Sequence, residues 1–136
     1  MQRVLILCTC NSARSQMAEG LLKHMAGSRF EVHSAGTKPG SVRPEAIAVM
    51  KEIGIDISAN RSKHVDEFAG QAFDYVLTVC DNAARNCPIY PGSTKRLHFG
   101  FEDPATAQGS EEQRLAAFRR VRDQIGAYLR DFPPGT

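Results

Sequence analysis

Apolar and polar positions follow two periods along this chain. Val4-Leu5-Ile6-Leu7 is a continuous apolar run, and with Arg3 it predicts a strand over residues 3–7 that is buried on both faces. Met17, Leu21, Leu22 and Met25 then recur at helical spacing and predict a helix over residues 15–26, closed by Gly27-Ser28. Residues 30–35 read as a second strand ending at Gly36. Pro44 suits the first turn of a helix, with Ala46, Ile47, Val49, Met50 and Ile53 as its apolar face and Gly54 as its end. Residues 75–79 form another buried strand, followed at once by Cys80, and Leu97 and Phe99 predict a short further one. Ser110 and Gln113 make a capping-box pattern at the head of a last helix. Leu115, Phe118, Val121, Ile125 and Tyr128 share its face, and it is expected to end near Arg130.

Strands alternating with helices predict an α/β fold with a parallel sheet covered on both faces. Ligands of such sheets bind beyond the carboxyl ends of the strands. Cys8 follows the first strand and Cys80 the third, so both thiols are expected on that edge. The length of 136 residues suits a single domain over residues 1–136, with core enough to need no disulfides. A net charge of +2, with basic residues scattered and not interleaved with aromatics, argues against a nucleic-acid partner. No signal peptide or membrane-length segment is visible. The expected location is the cytoplasm, where thiols stay reduced unless they are catalytic, so the four cysteines become candidates for chemistry.

The richest segment is Cys8-Thr9-Cys10-Asn11-Ser12-Ala13-Arg14, followed by Ser15, between a predicted strand and a predicted helix. Backbone N–H groups of a tight loop before a helix converge on an anion, and the helix dipole adds positive potential. Arg14 can offer two parallel donors to a tetrahedral oxyanion. Cys8, at the loop's edge, sits in the field that lowers a thiol pKa and is expected to be a thiolate at neutral pH. A nucleophile on the floor of an anion cradle points to chemistry on a phosphate-like anion. The competing reading of Cys8 is an inert buried thiol at a strand end.

Cys80 and Cys87 flank Asp81-Asn82-Ala83-Ala84-Arg85-Asn86, which can form a short helix. Seven helical residues rise roughly 10 Å, whereas a disulfide needs Cα atoms within about 7 Å. If the segment is helical when reduced, the two cysteines join only after it unwinds, which would make it a redox switch. The plainer reading is two unrelated buried thiols. The spacings Cys8-x-Cys10 and Cys80-x6-Cys87 depart from zinc knuckles, and His24, His33, His64 and His98 have no metal-ligand spacing, so no metal is expected. Asp103-Pro104 places an acid on a stiffened loop, where it can protonate a leaving oxygen if it lies over the Cys8 loop.

The run Cys8-Thr9-x-Asn11-Ser12-Ala13-Arg14-Ser15-Gln16-Met17-Ala18-Glu19-Gly20 resembles the low-molecular-weight tyrosine phosphatase superfamily and, more closely, its thioredoxin-coupled arsenate reductases. The likeness extends from about Val4 to Leu129 through Ser34-Ala35-Gly36, Gly54-Ile55-Asp56-Ile57-Ser58, Cys80, Cys87-Pro88, Gly100-Phe101-Glu102-Asp103-Pro104-Ala105 and Arg120-Val121-Arg122-Asp123. It implies a three-layer sandwich: a four-stranded parallel sheet with helices on both faces. It also implies that residues 8–15 hold arsenate, that Cys8 attacks it with Arg14, and that Asp103 assists departure of an oxygen. Cys80 then attacks Cys8, releasing arsenite, and Cys87 attacks Cys80 to give a disulfide recycled by thioredoxin. Asn11 and Ser15 would hold the loop and tune the thiolate. No cofactor is implied, and a monomer is expected.

The chain departs from the family pattern in two places. Cys10 stands where glycine or histidine is commoner. In some relatives Asn11, Glu19 and Ser34 help bind potassium together with a hydroxyl and a carboxylate, but the matching positions here are Arg61 and Lys63. An ammonium at Lys63 would take the cation's place and pair with Glu19 and the Asn11 side-chain oxygen, or else be a solvated surface group. A phosphatase acting on tyrosine or small-molecule esters is the alternative activity, since Cys8, Arg14 and Asp103 serve both reactions. The Cys80/Cys87 pair and Ala105, where phosphotyrosine-directed relatives tend to carry an aromatic, separate the two. A non-enzymatic oxyanion or arsenic-binding redox sensor is a third class.

Overall fold

The computed structural model describes residues 1–85 and 94–133. The elements run β1 (Gln2–Cys8), α1 (Arg14–Ala26), β2 (Phe30–Gly36), α2 (Pro44–Lys51), β3 (Tyr75–Thr78), α3 (Asp81–Arg85), β4 (Lys95–His98) and α4 (Glu111–Leu129). Single 3-10 turns at Val65–Phe68 and Pro104–Thr106 lie between them. The strands form one four-stranded, wholly parallel sheet in the order β2-β1-β3-β4. Helices cover both faces, α1 packing on α4 and α4 on α2.

β1 is central because its interior is wholly apolar: Val4, Leu5, Ile6 and Leu7 have no exposed surface. Its neighbours lie on opposite sides of it, β2 reached by the first crossover and β3 by a later one that passes back across β1. The carboxyl end of β1 is therefore the switch point at which such sheets open a crevice. Leu7 pairs with Ala35 on one side and Thr78 on the other. That register sets Cys8 beside Gly36 and brings Cys80, two residues past Thr78, to the same edge.

Several expected boundaries shift. β4 covers Lys95–His98, so Phe99 lies beyond it and is 46% exposed. α2 stops at Lys51, and Ile53 falls in the turn after it and is exposed instead of joining the apolar face. Gly54 takes φ 81° in that turn, a left-handed value that suits glycine. Met25 is also exposed, at 41%. β3 ends one residue early at Thr78, although Val79 is still fully buried. The capping box of α4 is present in full: Gln113 N donates to Ser110 Oγ, and Ser110 N to Gln113 Oε1. Among the described residues, no helix is long and apolar enough to cross a membrane.

Candidate active site

The loop from Cys8 to Arg14 is held from outside by its carbonyls. Thr9 O accepts from Lys38 N, Cys10 O from Gly40 N and Ser62 Oγ, and Ser12 O from Arg43 N. Asn11 O accepts from Gln16 Nε2. A trans peptide sets each following N–H antiparallel to its carbonyl, so these bonds turn a run of donors the other way. α1 begins at Arg14 with Ala13 as its N-cap and no side-chain cap, which leaves its first N–H groups available to an anion.

Asn11 is the fixing point. It is fully buried at φ 50°, a left-handed value that Asn tolerates better than most residues. Its Nδ2 donates to Ser15 Oγ (2.8 Å) and Ser34 Oγ (3.0 Å), and its Oδ1 accepts from Gln16 Nε2 and Lys63 N (both 2.9 Å). Every hydrogen-bonding valence of that amide is used. Gly36 packs so closely that a Cβ there would run into the backbone of Thr9, Cys10 and Asn11.

The loop floors a cavity of about 300 Å³ lined by Cys8, Thr9, Cys10, Ser12, Ala13 and Arg14, with Arg43, Asp103 and Ala105 completing the wall. Arg14 is almost enclosed; its Nη1 donates to Phe101 O (3.1 Å) and its Nη2 lies 3.6 Å from Asp103 Oδ2. Asp103 is positioned by its Oδ1, which accepts from Ala105 N at 3.0 Å. The Asp-Pro loop thus stands over the Cys8 loop. Asn11 and Ser15 are fully buried and do not line the cavity; the Asn11 amide is spent on loop structure, whereas Ser15 Oγ accepts from Asn11 and keeps its hydroxyl hydrogen to donate. Cys10 is exposed at the wall.

Cys8 and Cys80 are both buried and adjacent, close enough for one thiol to hydrogen bond to the other as they titrate. That bond, then burial, push the Cys8 thiol far above its ordinary value, against the pull of Arg14. Cys80 is drawn down to about 5, first by the Cys8 thiol and then by the Thr9 hydroxyl (3.3 Å) and Ala83 N–H (3.4 Å). The two thiols therefore titrate as a unit, the first proton being lost readily and the second held. The second thiol thus shares in the field of Arg14 and the loop that was expected to act on Cys8 alone. Cys87 lies outside the described residues.

The region matching the relatives' potassium ligands does not fit that ion. Ser34 Oγ donates to Glu19 Oε1 (2.6 Å), Glu19 Oε2 accepts from Lys23 Nζ (3.0 Å), and Asn11 Oδ1 is saturated. Lys63 Nζ stands 3.9 Å from Glu19 Oε1 and donates to Arg61 O at 2.8 Å. Burial pushes the Lys63 amine down and Glu19 partly restores it. The expected ammonium–Glu19 pairing is present; Asn11 Oδ1 is met instead by the Lys63 backbone N–H.

Residues 3–133 match the family model of low molecular weight phosphotyrosine protein phosphatases. The chain belongs to this family. Within the low-molecular-weight phosphatases, it is 48% identical over 129 residues to an arsenate reductase of Halalkalibacterium halodurans, covering 95% of this chain and 93% of that one. A solved arsenate reductase in the oxidized state superposes with a TM-score of 0.78 at 32% identity, covering 96% of this chain and 95% of the other. A thioredoxin-dependent arsenate reductase of Corynebacterium glutamicum does so at 0.72 and 30% identity, over 96% of this chain and 59% of that one.

Sequence reasoning missed Arg43 and Gln16. The signal for Arg43 was its place just before the helix-starting Pro44, which ties it by backbone to the loop. Gln16 gave no signal of its own.

Proposed function

We propose that this protein reduces arsenate to arsenite by an intramolecular thiol cascade recycled by thioredoxin. The observation that supports this reading is the second thiol: Cys80, 3.3 Å from the Thr9 hydroxyl, is buried beside Cys8, which lines the oxyanion cavity. Ester hydrolysis needs only the first.

Arsenate enters as an oxyanion bound by the donors of residues 8–15 and by the Arg14 guanidinium. The proton on Cys8 crosses the hydrogen bond to Cys80, and Cys8 Sγ attacks arsenic. An oxygen leaves as water with the help of Asp103, giving a Cys8–arsenic(V) adduct. Cys80, once deprotonated, attacks Cys8 Sγ. The sulfur–arsenic bonding pair goes to arsenic, which leaves as arsenite, and a Cys8–Cys80 disulfide remains. Cys87 then attacks Cys80 Sγ, expelling Cys8 as thiolate, and two thiols of thioredoxin reduce the Cys80–Cys87 disulfide. The same reading makes the protein a cytoplasmic monomer.

The test is a coupled assay of arsenate, thioredoxin, thioredoxin reductase and NADPH. Wild type should consume NADPH in an arsenate-dependent way. Cys80→Ser and Cys87→Ser should each abolish multiple turnover while sparing any phosphate-ester hydrolysis, and Cys8→Ser should remove both. Ester hydrolysis without arsenate-dependent NADPH loss would make the protein a phosphatase instead.

A further inference from the structure

Arg43 stands on the wall of the oxyanion cavity opposite the roles already assigned. It is the residue before α2, and its backbone N–H donates to Ser12 O at 2.9 Å, so it is fastened to the anion loop itself. Its side chain shares the cavity with Cys8, Arg14 and Asp103. The guanidinium is under-used. Nη2 makes a longish hydrogen bond of 3.2 Å to Glu45 Oε2, and Nε is buried with no hydrogen-bond partner among the described residues. Glu45 is itself shared, lying 4.0 Å from Arg114 Nε.

A buried charged donor without an acceptor is costly unless something supplies one. A tetrahedral oxyanion in this cavity presents several acceptors, and a planar guanidinium suits two of them at once. Arg14 already spends donors on Phe101 O and leans toward Asp103, so it leaves part of the anion's charge unmatched. We propose that Arg43 is a second guanidinium for the bound oxyanion, held back by Glu45 until the anion arrives. This rests on the site being the oxyanion pocket described under the proposed function. Arg43 binds the anion as it enters and departs and takes no part in the sulfur chemistry.

Calorimetry with inorganic phosphate, alongside arsenate kinetics in the coupled assay, tests this. A charge-assisted hydrogen bond lost from a guanidinium whose side chain is 40% exposed weakens binding about five- to thirtyfold. Arg43→Gln should raise both the phosphate Kd and the arsenate KM by that factor, with kcat changed less than about threefold. Arg43→Lys should recover part of the loss. Glu45→Gln removes the competing carboxylate and should tighten phosphate binding, the opposite direction from a variant that merely loosens the fold. Equal phosphate Kd in wild type and Arg43→Gln, or weaker binding in Glu45→Gln, would overturn the assignment. A wild type that binds phosphate but reduces no arsenate would sink the reductase reading alone, and the Kd series would still decide Arg43.

Discussion

The hydrogen-bonded thiols make a quantitative prediction about charge. In a Cys10→Ser/Cys87→Ser background only Cys8 and Cys80 remain to titrate. With the pair's lower member at about 5, one thiolate should be about 99% formed at neutral pH, two decades above its midpoint. The second proton should stay on to strongly alkaline pH, because removing it would place two like charges in contact. Thiolate absorbance in the far ultraviolet, followed against pH, should therefore show a first step near 5 with the amplitude of one thiolate. Thr9→Val removes one charge-assisted hydrogen bond and should move that midpoint to roughly 6–7. Cys80→Ala removes the chief cause of the raised Cys8 value and should let Cys8 titrate lower than it does in the pair. Stability follows the same protons. Between about 5 and 9.0 the folded pair has lost a proton that the unfolded chain keeps, so stability should rise with pH across that window. Above 9.0 Cys8 keeps a proton that the unfolded chain loses, and the trend should reverse. A background variant with no thiolate step below neutral pH would refute the shared-charge description.

Other outcomes follow from the packing. Gly36→Ala forces a Cβ into the loop backbone and should cost about 1–3 kcal/mol in a denaturant melt, together with weaker phosphate binding. Arg122 donates to Val49 O (2.7 Å) and Glu52 Oε1 (3.0 Å), joining α4 to α2. Arg122→Ala should lower stability by about 2–3 kcal/mol, less than for a fully buried pair because Glu52 is partly exposed. Exchanging sodium for potassium at constant ionic strength should leave the arsenate KM unchanged, whereas Lys63→Ala should raise it or lower the melting temperature; strong potassium activation of wild type would contradict the Lys63 geometry.

Elements whose signal is local were legible in the sequence. The apolar run of β1 and the Ser110 cap needed no tertiary context, and the strand-loop-helix grammar located the oxyanion cradle. The ends of α2 and β4 were not, since Ile53 and Phe99 are apolar residues that the fold leaves outside, and apolar character alone does not say which side of a boundary a residue takes. In the site, Cys8, Arg14 and Asp103 were found from their own chemistry. Cys8 and Cys80 were expected on one sheet edge; what the pattern could not supply was the register of β1 and β3 that sets the two thiols side by side so that they titrate together. Arg43 escaped for a similar reason, its role depending on where α2 begins in space.

The saturated amide of Asn11 has a consequence for how the molecule comes apart. One buried side chain ties the loop to α1 through Ser15 and Gln16, to β2 through Ser34, and to the segment before Val65 through Lys63. No one of those segments can open without stranding part of the amide away from water, at a cost of about 1–3 kcal/mol for each orphaned group. Local fraying near the loop is thereby discouraged, and its amides should exchange with solvent only in the openings that also release the core strands. The anion cradle survives in this chain as long as the sheet does.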